Sequence, residues 1–317
     1  MIGHVKRLDS CQRNQSRYRK WKENIELYGM MLPVLIWIFV FCYLPIYGVL
    51  IAFQDYYPGA PFFALNESVK WVGLKHFKRL FGSIYFERML VNTLRLSMLQ
   101  LVFGFWAPIL FALLVNEIRN PRYKKIVQTA SYMPHFISSV VVAGMVLSFI
   151  SPGGIINRLI AALGGPNIAW NVKPAAFPVI YTLTNVWKSF GFNAILYMST
   201  ISSIDPALYE SARMDGAHRG QMAWYITLPM MKTTIAVMLI MAVGGILSTN
   251  TELILLLYNE AIYKTADVFG TYVYREGLQG GRFSFGAAVG LFTQLIGFVL
   301  VFAANQISGK LTGAGLW

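Results

Sequence analysis

The chain of 317 residues is 56% hydrophobic and 13% charged, with a mean hydropathy of +0.51. Soluble domains carry about 25% charged residues, so the composition excludes an ordinary soluble enzyme and points to a multi-span membrane protein. The net charge of +13 does not argue for nucleic acid, because the Lys and Arg flank apolar runs instead of forming one basic face.

Residues 1–26 are polar and basic, with Lys6, Arg7, Arg13, Arg17, Arg19, Lys20 and Lys22. The apolar run that follows is long and lacks a small-residue cleavage site, which argues against a removable signal peptide. Tyr18, Trp21, Ile25 and Tyr28 suit the apolar side of an interfacial helix leading into the membrane. A disordered basic tail is the alternative for residues 1–15. A first span is expected at 27–53, since about 20 apolar residues cross a bilayer. Residues 54–86 form an aromatic-rich connection, with an interfacial helix expected over 71–81. A second span covers 89–115 and leads into the basic turn Glu117–Lys125. A third covers 128–150, with Pro134 near its start, and ends at Ser151-Pro152-Gly153-Gly154. A fourth covers 176–200, a fifth 227–249 and a sixth 285–306. Gly286 and Gly290 on the sixth, four apart, permit close helix packing. Residues 27–306 thus form one transmembrane domain, followed by a short tail, 307–317. Basic residues are denser in the N-terminal segment and in the Glu117–Lys125 turn, which puts both termini and the segment around Glu210 on the cytoplasmic side.

Cys11 lies in the polar N-terminus and Cys42 in an apolar run, so no structural disulfide is expected. No clustered Cys/His spacing supports a metal site. No Ser/His/Asp arrangement or phosphate-binding loop appears, so no catalytic residue and no bound nucleotide or other cofactor is assigned to this chain. His4, His76, His135 and His218 read as loop or interface residues.

Between the fourth and fifth spans lies a short polar interruption, Tyr209-Glu210-Ser211-Ala212-Arg213-Met214-Asp215-Gly216-Ala217. Asp205 suits a helix N-cap and Pro206 the first helical position. Ala207 to Asp215 holds no helix breaker, and Gly216 is a natural stop. Ser211 and Ala212 are small enough for another surface to approach the backbone. Glu210, Arg213 and Asp215 surround them with polar contacts. Taken by itself this is a solvated loop helix.

The spacing adds a resemblance. Glu210-Ser211-Ala212, then Gly216, then Ile226, Leu228 and Pro229 resembles the cytoplasmic-loop signature of the permeases of binding-protein-dependent ABC importers. That signature reads Glu-Ala-Ala, three residues, Gly, nine residues, Ile, one residue, Leu-Pro. Ser211 stands where the second small residue is usually Ala. Tyr132–Ser138, Ser151–Asn157 and Tyr272-Val273-Tyr274 resemble the oligosaccharide and polysaccharide branch, alginate permeases included. The resemblance covers roughly residues 25–310. It implies the type I importer permease fold: all-α, six transmembrane helices, with a cytoplasmic coupling helix between helices 4 and 5. It also implies a bacterial inner-membrane location, a second homologous permease, an extracytoplasmic sugar-binding protein, and two cytoplasmic ATP-binding subunits that hold ATP and Mg. The outer loops 54–86 and 250–284 become candidates for contact with the binding protein.

Polar groups inside spans are the clue to a substrate path, since charge at bilayer depth is costly without partners or water. Lys188 lies near the middle of the fourth span, with Asn185, Trp187 and Asn193. Asn185 and Lys188 are three apart and can share a face, whereas Asn193 sits less well on it. Arg95 lies in the second span and Gln294 in the sixth. Two readings are open for each: a wet path binding a polyhydroxylated ligand, with Trp187 stacking on sugar rings, or helix-to-helix hydrogen bonding and snorkelling. A cation at Lys188 suits an acidic sugar such as a uronate oligomer, alginate fragments being one candidate. The competing function is an ion- or proton-coupled secondary carrier. It predicts internal repeats and mid-membrane acids, neither of which is evident.

Overall fold

The computed structural model describes residues 24–59, 70–313 and 315–316. Most of the basic N-terminal segment, Cys11 and part of the 54–86 connection lie outside them. The described residues are helical apart from turns, loops and one isolated bridge between Gln54 and Trp71.

Helix α1 (Ile25–Ile38) runs on through a π turn, Phe39–Tyr43, and a tight 3-10 stretch, Leu44–Phe53. A short helix α2 (Lys75–Phe81) follows, and then the long α3 (Phe86–Asn116), with a π turn at Gln100–Gly104. The expected third span is not one helix. It breaks at Ile137 and Ser138 into α4 (Pro121–Phe136) and α5 (Ser139–Ile150). Pro134 sits in the last turn of α4, and Ser138 caps α5 through the Val140 N–H at 3.3 Å, so the chain ends one helix and starts another. Helix α6 (Ile155–Ala162) and then α7 (Phe177–Ser202) come next.

After α7 come the short α8 (Pro206–Met214) and α9 (Arg219–Met230), which meets α10 (Lys232–Gly244) at a 64° bend. The expected fifth span is therefore a bent pair rather than one straight rod. Pro229 removes an N–H just before the bend, and the π turn Ala223–Thr227 loosens the ladder ahead of it. Helices α11 (Thr251–Leu257), α12 (Tyr263–Ala266) and α13 (Phe269–Tyr272) are short, and α14 (Phe283–Thr312) closes the fold.

Four helical stretches among the described residues are long and apolar enough to cross a membrane: Leu27–Phe53, Phe86–Asn116, Ser139–Ala162 and Phe283–Lys310. The bent pair α9–α10 makes a fifth. Helix α7 has 26 residues, enough for a bilayer core of about 30 Å at 1.5 Å per residue. It falls outside that set because it carries Asn185, Lys188 and Asn193. It tolerates them because it packs against α3, α4 and α10 and not chiefly against lipid. Gly191 lets α4 come close: a Cβ there would overlap the Ser131 carbonyl.

Two of the three core clusters lie around α7, and the third joins Leu80 and Met89 to Phe269, Tyr272, Phe285 and Val289. Phe105, Ile109, Ala194, Tyr197, Ile201 and Met231 form one cluster, and Tyr181, Phe177, Leu96, Leu253 and Ile254 belong to another. Gly286 is a packing residue, with its backbone against Gly277, whereas Gly290 meets nothing within 4 Å in this chain. Close packing of α10 on α14 instead uses Gly244 and Gly297.

A buried ion cluster pins the start of α3 to the 263–279 segment. Asp267 is fully enclosed and accepts from Arg88 at 2.8 Å, from Arg275 at 3.0 and 3.1 Å, and from Thr271 at 3.0 Å. Burial alone would lower the Arg275 pKa, but the Asp267 bonds outweigh it and hold it above the ordinary value. These two charges of the 250–284 connection are thus used internally and are not free for an outside partner.

Candidate functional site

Helix α8 forms from local chemistry. The Asp205 carboxylate accepts from the Ala207 N–H at 2.9 Å, and Pro206 occupies the first position. At the other end Gly216 adopts φ +81°, so that Ala217 N–H reaches the Ala212 carbonyl at 2.9 Å and Gly216 N–H reaches Arg213 at 3.0 Å. That paired closure needs a left-handed residue, which glycine supplies without strain. Ser211 folds its hydroxyl back onto the Ala207 carbonyl at 2.9 Å, leaving a small outer surface. Glu210, Ser211, Asp215 and Gly216 are exposed, and Ala212 is half-buried.

The inner side of α8 is anchored. Tyr209 Oη lies 2.9 Å from Thr227 Oγ1 in the π turn of α9. Thr227 is buried and in turn hydrogen-bonds the Met222 carbonyl at 3.4 Å. Arg219 at the start of α9 pairs with Glu117 at the end of α3, 3.6 Å apart. Between α8, α9 and that end of α3 lies an open cavity of about 630 Å³, with Glu117, Arg119, Glu210, Arg213 and Arg219 on its walls. A second hollow of about 360 Å³ is lined by Ala212, Asp215, Gly216 and Ile226. Leu228 and Pro229 follow in the last turn of α9, next to the bend. The signature residues therefore gather at one end of the bundle, around a stiff projecting helix tied to the next crossing. Tyr209 stood at the head of the polar stretch, but its link to Thr227 was not read, because nothing in a pair 18 positions apart marks it in the sequence.

A separate cleft of about 490 Å³ opens between α3, α7 and α10. Its polar lining includes Gln100, Tyr181, Asn185, Asn193 and Asn250. Asn250 Nδ2 donates to Asn185 Oδ1 at 3.1 Å, and its own N–H donates to Tyr181 Oη at 3.0 Å. Gln100 sits in the π turn with its amide over Gly104, where a Cβ would overlap it, and its Oε1 is buried without a hydrogen bond. A cleft with amides and phenols set in apolar walls can hydrogen-bond hydroxyl-rich ligands.

Of the residues expected in a path, Asn185 and Asn193 meet in this cleft. Lys188 does not share their wall. Its Nζ donates to Ser139 Oγ at 2.7 Å, and Ser139 Oγ donates to Glu252 Oε2 at 3.2 Å. Trp187 is 41% exposed on the outside of α7, away from the cleft. Arg95 and Gln294 are also exposed, and neither lines the cleft. Gln100, Asn250 and Glu252 are the additions. Gln100 was visible as an amide inside an apolar run and Asn250 and Glu252 as a polar patch after one, but only the fold brings them to α7. Among the described residues no group of three or more His, Cys, Asp or Glu is placed to hold a metal.

Comparison with known proteins identifies the kind of molecule. A family model described as "Binding-protein-dependent transport system inner membrane component" matches residues 104–312. The polygalacturonan/rhamnogalacturonan transport system permease protein YteP of Bacillus subtilis (strain 168) is 43% identical over 292 residues, 92% of this chain and 90% of the relative. Protein LplB of the same organism is 40% identical over 292 residues, 92% of this chain and 91% of its own. A solved structure of a bacterial alginate ABC transporter, in complex with alginate pentasaccharide-bound periplasmic protein, holds a chain 43% identical to this one. It superposes with a TM-score of 0.85 over 94% of this chain and 99% of that one. A second structure, of a bacterial ABC transporter involved in the import of the acidic polysaccharide alginate, matches at 44% identity and TM-score 0.84, covering 93% and 99%. Both lie well above the level at which fold alone is shared, and the family model spans most of the chain. This chain belongs to the inner-membrane permease components of binding-protein-dependent ABC transport systems.

Proposed function

We propose that this chain is one of two membrane-spanning subunits of an ATP-driven importer for an acidic oligosaccharide. It crosses the bacterial inner membrane six times, α7 included, with both termini and α8 in the cytoplasm. The observation that carries the reading is α8 itself. It is a short helix, capped at both ends, exposed at Glu210 and Ser211 and anchored on its other side through Tyr209 to Thr227. Such a piece is stiff enough to pass displacement into the bent pair α9–α10. Two cytoplasmic subunits bind ATP and Mg, one gripping α8 and the other the equivalent helix of a second, similar permease. ATP binding draws the motor subunits together and rocks the crossings. Hydrolysis resets them. An extracytoplasmic sugar-binding protein delivers the ligand to the outer loops. The chain contributes no catalytic group of its own.

The cleft of Gln100, Asn185, Asn193 and Asn250 is the section of the path that meets sugar hydroxyls. The acidic character rests on Lys188 and on relatives named for polygalacturonan, rhamnogalacturonan and alginate. The test is uptake by the assembled transporter, with its binding protein, in vesicles holding ATP. Accumulation of oligogalacturonides or oligoalginates that stops when ATP is withdrawn is the expected result. Uptake that persists without ATP and follows an ion gradient would return the secondary-carrier reading.

A further inference from the structure

Lys188 reaches Glu252 through one hydroxyl. Lys188 is half-buried on α7, Ser139 is 7% exposed at the first position of α5, and Glu252 is exposed on α11. The hydrogen bonds run in one direction: the ammonium donates to Ser139 Oγ at 2.7 Å, and that hydroxyl donates its own proton to Glu252 Oε2 at 3.2 Å. The two charges make no direct ion pair. An ammonium has three donors, and Ser139 takes one of them. None of the three lines the cleft itself, but the bridge joins two elements that do reach it. Three residues before Lys188, Asn185 lines the cleft wall, and two residues before Glu252, Asn250 bonds to that Asn185.

We infer that Glu252 is a stand-in anion that the carboxylate of the cargo displaces, which makes it a specificity residue of the transport path. The inference rests on the acidic-oligosaccharide reading above. The physical need is twofold. A cation at this depth requires a counter-charge when no cargo is present. A cation left bare would also hold an acidic sugar too firmly, since a conducting site must bind well enough to fill and weakly enough to empty. A carboxylate held through one serine hydroxyl, and exposed on its outer side, meets both needs. It neutralises Lys188 at rest, yields to a uronate whose oxygens occupy the free ammonium donors, and returns as the sugar leaves. The break between α4 and α5 serves this arrangement, because it starts a new helix at Ser139 and brings that hydroxyl between the two charges. Neutral sugars gain nothing from the exchange.

The experiment uses the assembled transporter with its binding protein in vesicles and two probes of matched shape: an oligogalacturonide and its fully methyl-esterified form. The readout is the ratio of acid to ester uptake, with assembly checked by co-purification of the ATP-binding subunits. The wild type favours the acid. Glu252→Gln, nearly isosteric, raises the affinity of the path for the acid over the ester about tenfold, which is 1.4 kcal/mol. It also slows release, so acid uptake saturates at a lower rate. Lys188→Met lowers the ratio to the level set by the binding protein alone, because the cation of this part of the path is gone. A Glu252→Gln ratio and saturating rate equal to those of the wild type overturn the inference while leaving the acidic reading intact. A Lys188→Met ratio unchanged from the wild type overturns it as well, through the other partner, should Glu252→Gln fail to assemble. A wild-type ratio of one overturns the acidic reading itself and the inference with it.

Discussion

Asp267 is wholly enclosed and takes donors from Arg88, Arg275 and Thr271. Removing its charge leaves two guanidinium groups without their counter-ion. Asp267→Asn should therefore destabilise the fold by about 3–5 kcal/mol, the usual cost of breaking a buried pair from one side. The check is thermal unfolding of the purified protein in detergent, where a midpoint equal to the wild type would contradict it. Asp55 behaves differently. The Lys75 ammonium, 2.6 Å away, holds its pKa below the usual carboxylate value, with slight burial opposing. A depressed folded-state pKa gives stability that is present above the unfolded value, about 3.9. That stability is lost as pH falls through the lower folded value. The pair is partly exposed, so at most about 1 kcal/mol is at stake. Lys75→Met should reduce this acid-sensitive increment below about pH 4, with His76, 3.1 Å from the same carboxylate, keeping part of it. The reduction is seen as a smaller drop in unfolding temperature on acidification. An unchanged drop would assign the pair no role. The Tyr209 hydroxyl matters through its partner Thr227, 2.9 Å away. Tyr209→Phe should cost only about 0.5–1.5 kcal/mol yet reduce transport per ATP consumed. Full coupling in that variant would show that the link transmits nothing.

At the scale of elements, α8 was legible almost to the residue because its signals are local. An Asp-Pro start and a left-handed Gly stop lie within a dozen positions, and the structure uses each of them. The α4–α5 break was harder, because an apolar run shows hydropathy and not direction. Pro134 was in view, but the cap at Ser138 was not marked as one, and only together do they end one helix and begin another. The bend before α10 had a similar sign in Pro229, but the π turn ahead of it and the 64° angle had none. The polar α7 had its length visible and its place concealed: Lys188 was expected beside Asn185, but the fold turns it to Ser139 on α5. Gly191 had no signal at all, since its role exists only where α4 crosses. Gly191→Leu forces a side chain against the Ser131 backbone carbonyl, which cannot swing aside. A loss of about 1–3 kcal/mol from overpacking is expected, together with poor recovery of the assembled complex. Normal yield and stability would mean that α4 and α7 can separate enough to admit the side chain.

For the whole molecule, the two sites lie in different parts of the bundle and are joined by α9 and α10. Helix α8 and the hollows around it occupy one end, and the cleft lies among the crossings. The bent pair runs between them: Thr227 touches Tyr209 of α8, and Met238, Met241 and Ala242 line the cleft. The proposed coupling would therefore run from α8 to the cleft wall through this one kinked pair. Glu210→Lys should leave the chain in the membrane and abolish substrate-stimulated ATP turnover. Normal stimulation in the assembled variant would break the proposed link. The most direct test places a single thiol on α8, as Ser211→Cys in a chain whose two native cysteines are replaced, and measures its reaction with a membrane-impermeant maleimide. The account predicts no labelling in intact cells, labelling in inside-out vesicles of the permease alone, and protection there once the ATP-binding subunits are bound. Labelling from outside intact cells, or undiminished labelling in the full assembly, would contradict it.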